Sequence, residues 1–185
     1  NFTRLPIDAV PLGPFGNVTP IDPLNTGLFE DDPTLTGDLL EIYFDRSGDI
    51  YYSTRATVTT AWPTAQALTI VNTGATETTT EITADGLELF FSSNRGGGAG
   101  GTDIYVTTRP NRAAAFANPQ RVTELASAAE DVCPTIVDPA ALVMYLSSSR
   151  TGGPGSYDIY RSTRANRSAA WSAPVMITSL STAGT

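Results

Sequence analysis

The sequence contains no histidine and no lysine. Without histidine, the side chain that most often moves protons near neutral pH is missing. Ser-His-Asp and Cys-His catalysis, and any His-ligated metal, are thereby excluded within this chain. All 11 basic residues are arginine, set against 19 acidic ones, for a net charge of −8 and a pI near 4.4. That balance argues against nucleic acid and anionic membrane surfaces, which both select basic patches. Cysteine occurs once, so neither an internal disulfide nor a cysteine metal cluster can form. Cys133, within Val132-Cys133-Pro134-Thr135-Ile136, is expected to be a small buried hydrophobe. No apolar run approaches the roughly 18 residues of a membrane span. No cofactor, no metal and no membrane insertion are expected. The chain starts at Asn1 with neither an initiator methionine nor a signal peptide, which fits a processed exported protein or part of a longer one. Abundant threonine and serine without lysine suit an extracellular, periplasmic or cell-envelope protein of a bacterium.

What is present is a repeat. Glu30-Asp31-Asp32-Pro33-Thr34-Leu35, Glu77-Thr78-Thr79-Thr80-Glu81-Ile82 and Glu130-Asp131-Val132-Cys133-Pro134-Thr135-Ile136 each lead to an apolar run. Those runs are Glu41-Ile42-Tyr43-Phe44, Glu88-Leu89-Phe90-Phe91 and Val143-Met144-Tyr145-Leu146. An arginine turn follows (Arg46, Arg95, Arg150), then Asp-Ile-Tyr at Asp49, Asp103 and Asp158. Next come Ser53-Thr54-Arg55, Thr107-Thr108-Arg109 and Ser162-Thr163-Arg164, then an aromatic and a proline from Trp62, Phe116 and Trp171. Asp49 and Asp103 lie 54 residues apart, and Asp103 and Asp158 lie 55 apart. Each unit holds four short β-rich runs bounded by Gly, Pro, Asp, Asn and Ser, with no helical period. A period near 50 with four strands reads as a propeller blade. The expected fold is all-β: three four-stranded blades at 29–75, 76–128 and 129–185, with an N-terminal segment at 1–28.

At these residues the chain resembles the WD40-like PD40 repeat family, the TolB-like propeller group. Repeat two carries the match best, with Asp85-Gly86, Leu89-Phe90-Phe91-Ser92-Ser93-Asn94-Arg95, Gly100 and Asp103-Ile104-Tyr105. Repeat three has Asp138-Pro139 for Asp-Gly, and repeat one has a shortened turn. The resemblance covers residues 29–185. It implies a scaffold for protein interactions in bacterial envelopes or secretions, with no shared catalytic residues to carry over.

Phe15-Gly16-Asn17-Val18-Thr19-Pro20-Ile21-Asp22-Pro23-Leu24 parallels Phe116 to Leu125 in its aromatic, its asparagine and its terminal leucine. The segment reads as the outer strand of a preceding blade, with Phe15, Val18, Ile21 and Leu24 as a candidate assembly strand. Propellers close with roughly four to eight blades, so three form an open arc whose end faces need cover. That cover is either more chain or further copies of the protein, joined by strand addition. Truncation or local packing of the segment is the plainer alternative.

The recurring Arg46/Asp49, Arg95/Asp103 and Arg150/Asp158 are read as structural: an ion pair within each blade, with the aspartate also capping turn amides. One carboxylate beside an arginine is poor for Ca²⁺. Glu30, Glu77 and Glu130 are read as turn or cap residues rather than glycosidase acids. Tyr51, Tyr105 and Tyr160 are expected in inter-blade cores, and blade packing is the default for Trp62 and Trp171. Three sequons begin at Asn1, Asn17 and Asn166. The resulting expectation is a non-catalytic exported scaffold that binds a protein partner or copies of itself. A glycan-binding propeller and a fragment of a propeller glycoside hydrolase are the alternatives.

Overall fold

The computed structural model describes residues 16–181, which form twelve strands and no helix. Strands β1 (Glu30–Leu35), β2 (Glu41–Arg46), β3 (Asp49–Thr54) and β4 (Gln66–Ala67) make the first sheet. The second comprises β5 (Glu77–Ile82), β6 (Glu88–Ser93), β7 (Asp103–Thr108) and β8 (Gln120–Arg121). The third comprises β9 (Asp131–Ile136), β10 (Val143–Ser148), β11 (Asp158–Thr163) and β12 (Val175–Met176). Every pairing is antiparallel between sequence neighbours, so each sheet is a meander. These are three successive propeller blades in an open arc, as the repeat predicts.

The second strands of blades 1 and 2 are buried along their whole length, on both faces. In the middle blade all six residues of β6 are buried. Tyr43, Ile50 and Val71 of blade 1 pack against Leu89, Phe91, Tyr105 and Phe116 of blade 2. One step on, Phe90, Ile104, Val122 and Leu125 of blade 2 meet Met144, Leu146, Tyr160 and Trp171 of blade 3. Tyr105 and Tyr160 thus lie in cores between blades, and Trp62 and Trp171 are buried in blade packing, as expected, whereas Tyr51 is only half-buried against the blade 1 cluster. Beyond blade 3 this layering stops, and β10 alternates between buried and half-buried residues. Tyr145 is half-buried there, whereas its counterparts Tyr43 and Phe90 are 1% and 0% exposed.

Each inner strand carries a bulge at one residue with left-handed backbone: Asp32 (φ 47°), Thr79 (φ 51°) and Cys133 (φ 53°). Cys133 is exposed, which corrects the expectation of a buried thiol. The bulge breaks the in-out alternation of β9, so its neighbour Pro134 is buried while Cys133 is not. Cys133, Asp32 and Thr79 border a shared cavity between the inner strands.

Candidate functional site

The turn arginines join three parts of the fold. Arg46 Nε lies 2.9 Å from Glu30 Oε1, Arg95 Nη2 lies 3.1 Å from Glu77 Oε1, and Arg150 Nη2 lies 2.5 Å from Asp131 Oδ1. Each arginine also donates to a carbonyl that precedes its own blade: Leu24 (2.8 Å), Val71 (2.9 Å) and Leu125 (2.7 Å). Their guanidiniums stack on Tyr51, Tyr105 and Tyr160 at 4.3, 4.7 and 4.8 Å. The ion pair is within the blade, but its acid is on the inner strand and not at Asp49, Asp103 or Asp158. Asp103 and Asp158 instead cap turns. Asp103 Oδ2 accepts from the Ala99 amide (2.7 Å), and Asp158 Oδ2 from the Gly155 amide (3.3 Å). Asp49 sits opposite Arg46 across the β2–β3 turn, where Ser47 and Gly48 adopt positive φ.

The acid column is Glu30, Glu77 and Asp131, not Glu130. Registers place Glu30, Glu77 and Asp131 at the start of the inner-strand pairing, and both Glu77 and Asp131 have fully buried side chains. Glu130 turns outward to the Tyr157 hydroxyl. The sequence held a signal for this alignment. Leu24-Asn25-Thr26-Gly27 stands six residues before Glu30 as Val71-Asn72-Thr73-Gly74 stands six before Glu77, and Leu125 stands six before Asp131.

A second arginine column, quoted in the repeat but given no role, clasps adjacent blades. Arg109 Nη2 of blade 2 lies 2.6 Å from Glu41 Oε2 of blade 1, and Arg112 Nε lies 2.8 Å from Glu41 Oε1. Arg164 Nη2 of blade 3 lies 2.5 Å from Glu88 Oε2 of blade 2. Arg112 also pairs with Asp38, and Arg167 with Asp85. The Arg112 pair holds the Asp38 carboxyl down to about 2.

The N-terminal segment is seated at the first junction. Leu24 is buried with Ile42, Phe44 and Trp62, and its amide donates to the Ile21 carbonyl (2.8 Å). The same turn recurs from Val71 to Leu68 (2.9 Å) and from Leu125 to Val122 (3.1 Å), each directly after an outer strand. Residues 16–20 nevertheless form no strand, because among the described residues no third strand lies beside them. Val18 is 96% and Ile21 44% exposed, and Phe15 lies outside the described residues.

Blade 1 alone carries an acid near the end of its second strand, on the same strand face as Tyr43. Asp45, buried at 3% exposure, stands where blades 2 and 3 have Ser92 and Ser147, and its Oδ1 has no hydrogen-bond partner. Burial, with Asp32 and Asp31 close by, pushes its carboxyl up to about 6. A folded-state value above the unfolded one means that this group favours folding most below about pH 4. Its contribution is lost as pH rises towards 6, and the charged form burdens the fold above that. Asp45→Asn is therefore expected to raise stability at pH 7.5 by about 1–3 kcal/mol, or roughly 3–8 °C in Tm. The gain should vanish by about pH 3.5; thermal melts at the two pH values check it. Among the described residues, no group of three or more His, Cys, Asp or Glu side chains is placed to hold a metal ion.

No family model matches the sequence, and no curated protein matches it significantly. Solved structures do match the fold. TolB from Acinetobacter baumannii is similar over 82% of this chain and 33% of its own, at 17% identity and a TM-score of 0.54. The α-L-arabinofuranosidase PaAbf62A from Podospora anserina is similar over 87% of this chain and 55% of its own, at 14% identity and a TM-score of 0.52. The catalytic domain of the Coprinopsis cinerea GH62 α-L-arabinofuranosidase covers 88% and 56%, at 16% identity and a TM-score of 0.52. The chain thus spans about a third of TolB and just over half of the two arabinofuranosidases.

Proposed function

We propose that this chain is a non-catalytic propeller segment that serves as a protein-interaction or assembly scaffold in an exported compartment. One observation carries the reading. The recurring charged residues are spent on the same internal bonds in blade after blade: arginine to inner-strand acid, and arginine to the acid of the blade before. A lectin with one site per blade needs its recurring polar groups free for ligand. Here the recurring tyrosines lie beneath arginines instead. The exported location rests on composition alone.

A glycosidase reading has one observation in its favour, the acids Asp45 and Asp32 that break the repeat beside the inner strands. The two readings separate in a direct assay. Aryl α-L-arabinofuranosides and arabinoxylan oligosaccharides are incubated with the chain, and product release and binding heat are recorded. The scaffold reading expects neither turnover nor saturable binding. Turnover that disappears in a folded Asp45→Asn variant overturns it.

A further inference from the structure

The two interior junctions show what the leading face of a blade receives from the blade before it. Blade 1 sends an aromatic from its second strand (Tyr43), the third-strand Ile50, Val71 after the outer strand, and the carboxylate of Glu41. Blade 2 sends Phe90, Ile104, Leu125 and Glu88 in the same places. The acid is met by an arginine in a fixed pose. Arg109 stacks on Phe116 at 4.6 Å with Nε donating to the Gly86 carbonyl (2.6 Å), and Arg164 stacks on Trp171 at 4.5 Å with Nε donating to the Ala141 carbonyl (2.8 Å).

Blade 1 holds Arg55 in that pose, stacked on Trp62 at 4.2 Å with Nε donating to the Leu39 carbonyl (3.0 Å). Among the described residues no carboxylate forms an ion pair with it. Leu24 already takes the place of Val71 and Leu125, while a cavity of about 300 Å³ remains against Ile42 and Phe44. The backbone is prepared as well. Leu68 and Val122, which follow β4 and β8, donate their amides to the third-strand carbonyls of Ile50 (2.8 Å) and Ile104 (2.9 Å). The Asn72 side chain bonds both the amide and the carbonyl of Ile50. Ile21 and Asn25 stand at the matching positions, and both are exposed.

We propose that this edge docks one further, three-stranded propeller blade. That blade opens its second strand with Glu or Asp, which Arg55 binds, and it takes residues 19–20 as its fourth strand. Its trailing aromatic fills the cavity against Ile42 and Phe44. A second copy of this chain does not fit. Val143 stands in blade 3 where Glu41 and Glu88 stand in blades 1 and 2, so Arg55 would be desolvated without an acid. In addition, β12 already completes blade 3, and Leu180 would contest the seat that Leu24 holds. The inference rests on the scaffold reading and supplies the chemistry of the docked blade. Its test reads docking rather than turnover, so the two can fail separately.

The test inserts a copy of residues 76–115 between Pro14 and Phe15, placing the three inner strands of blade 2 ahead of the N-terminal segment with native spacing. The inserted blade is expected to resist protease. Changing its Glu88 to Gln should lower its folding equilibrium about tenfold or more with Arg55 present, and far less in an Arg55→Gln background. An insert that stays protease-labile, or a Glu→Gln effect unchanged by Arg55→Gln, overturns the proposal. The unaltered chain is expected to sediment as a monomer near 19.5 kDa; a discrete oligomer that Arg55→Gln dissolves overturns the exclusion of a second copy.

Discussion

Glu77→Ala is expected to cost about 3–5 kcal/mol, enough to abolish a stable fold in a marginal domain. The Glu77 side chain is fully buried and accepts four hydrogen bonds. They come from the Thr73 amide (2.9 Å), Thr73 Oγ1 (2.7 Å), Ser93 Oγ (2.9 Å) and Arg95 Nη2 (3.1 Å). Truncation removes every acceptor at once and leaves the Arg95 guanidinium against Tyr105 and Phe91 without its counterion. Desolvated charge without a partner dominates the loss, since each neutral hydrogen bond is worth only about 1 kcal/mol net. Glu77→Gln, which keeps an acceptor but not the charge, should fall between wild type and alanine. Urea unfolding followed by far-UV circular dichroism measures both. An alanine variant within 1 kcal/mol of wild type would mean that this carboxylate is not the hub its contacts indicate.

Glu41→Ala should cost a similar amount, with a different signature. Its side chain is 7% exposed and takes Arg109, Arg112 and the Tyr43 hydroxyl. Two of these partners belong to the next blade, so the substitution cuts a link between blades rather than within one. A loss of about 3–4 kcal/mol is expected, by the cost of breaking a buried pair. Unfolding should also lose cooperativity, because repeat arrays hold together through nearest-neighbour interfaces. Blade 1 should open first, and hydrogen exchange should show β1–β3 losing protection ahead of β6 and β10. Arg55→Ala is the internal control. The same arginine column, without an acid, should change stability by less than about 1 kcal/mol.

Much of the architecture was legible because it is local. Four strands per unit, their order and their boundaries follow from apolar runs separated by turn residues. Three such units in succession make the reading hard to mistake. The seat of Leu24 was legible for the same reason, since its segment repeats the surroundings of Leu125. Other features were hidden by distance along the chain. Arg109 meets Glu41 across 68 residues, and Arg164 meets Glu88 across 76. Spacing within one repeat cannot show that an arginine looks back to the blade before. Pairing each turn arginine with the nearest aspartate failed likewise, because the antiparallel register brings the inner strand closer than the next residues in sequence.

Cys133 was misplaced because the bulge shifts the in-out alternation, and a one-residue shift sends a side chain to the other face. Glu130 was misplaced because repeat three carries two adjacent acids, and only the strand register distinguishes Asp131 from its neighbour. The N-terminal segment shows the division most clearly. By itself, the sequence determined that Leu24 corresponds to Leu125, because an aromatic, an asparagine and a leucine recur at the same spacing in both segments. Only the tertiary structure decided which side of which blade it meets, and that Arg55 stands at that edge on Trp62 with no ion-pair partner among the described residues. Ion pairs form between groups brought together by packing, and that packing exists only once the blades stand side by side.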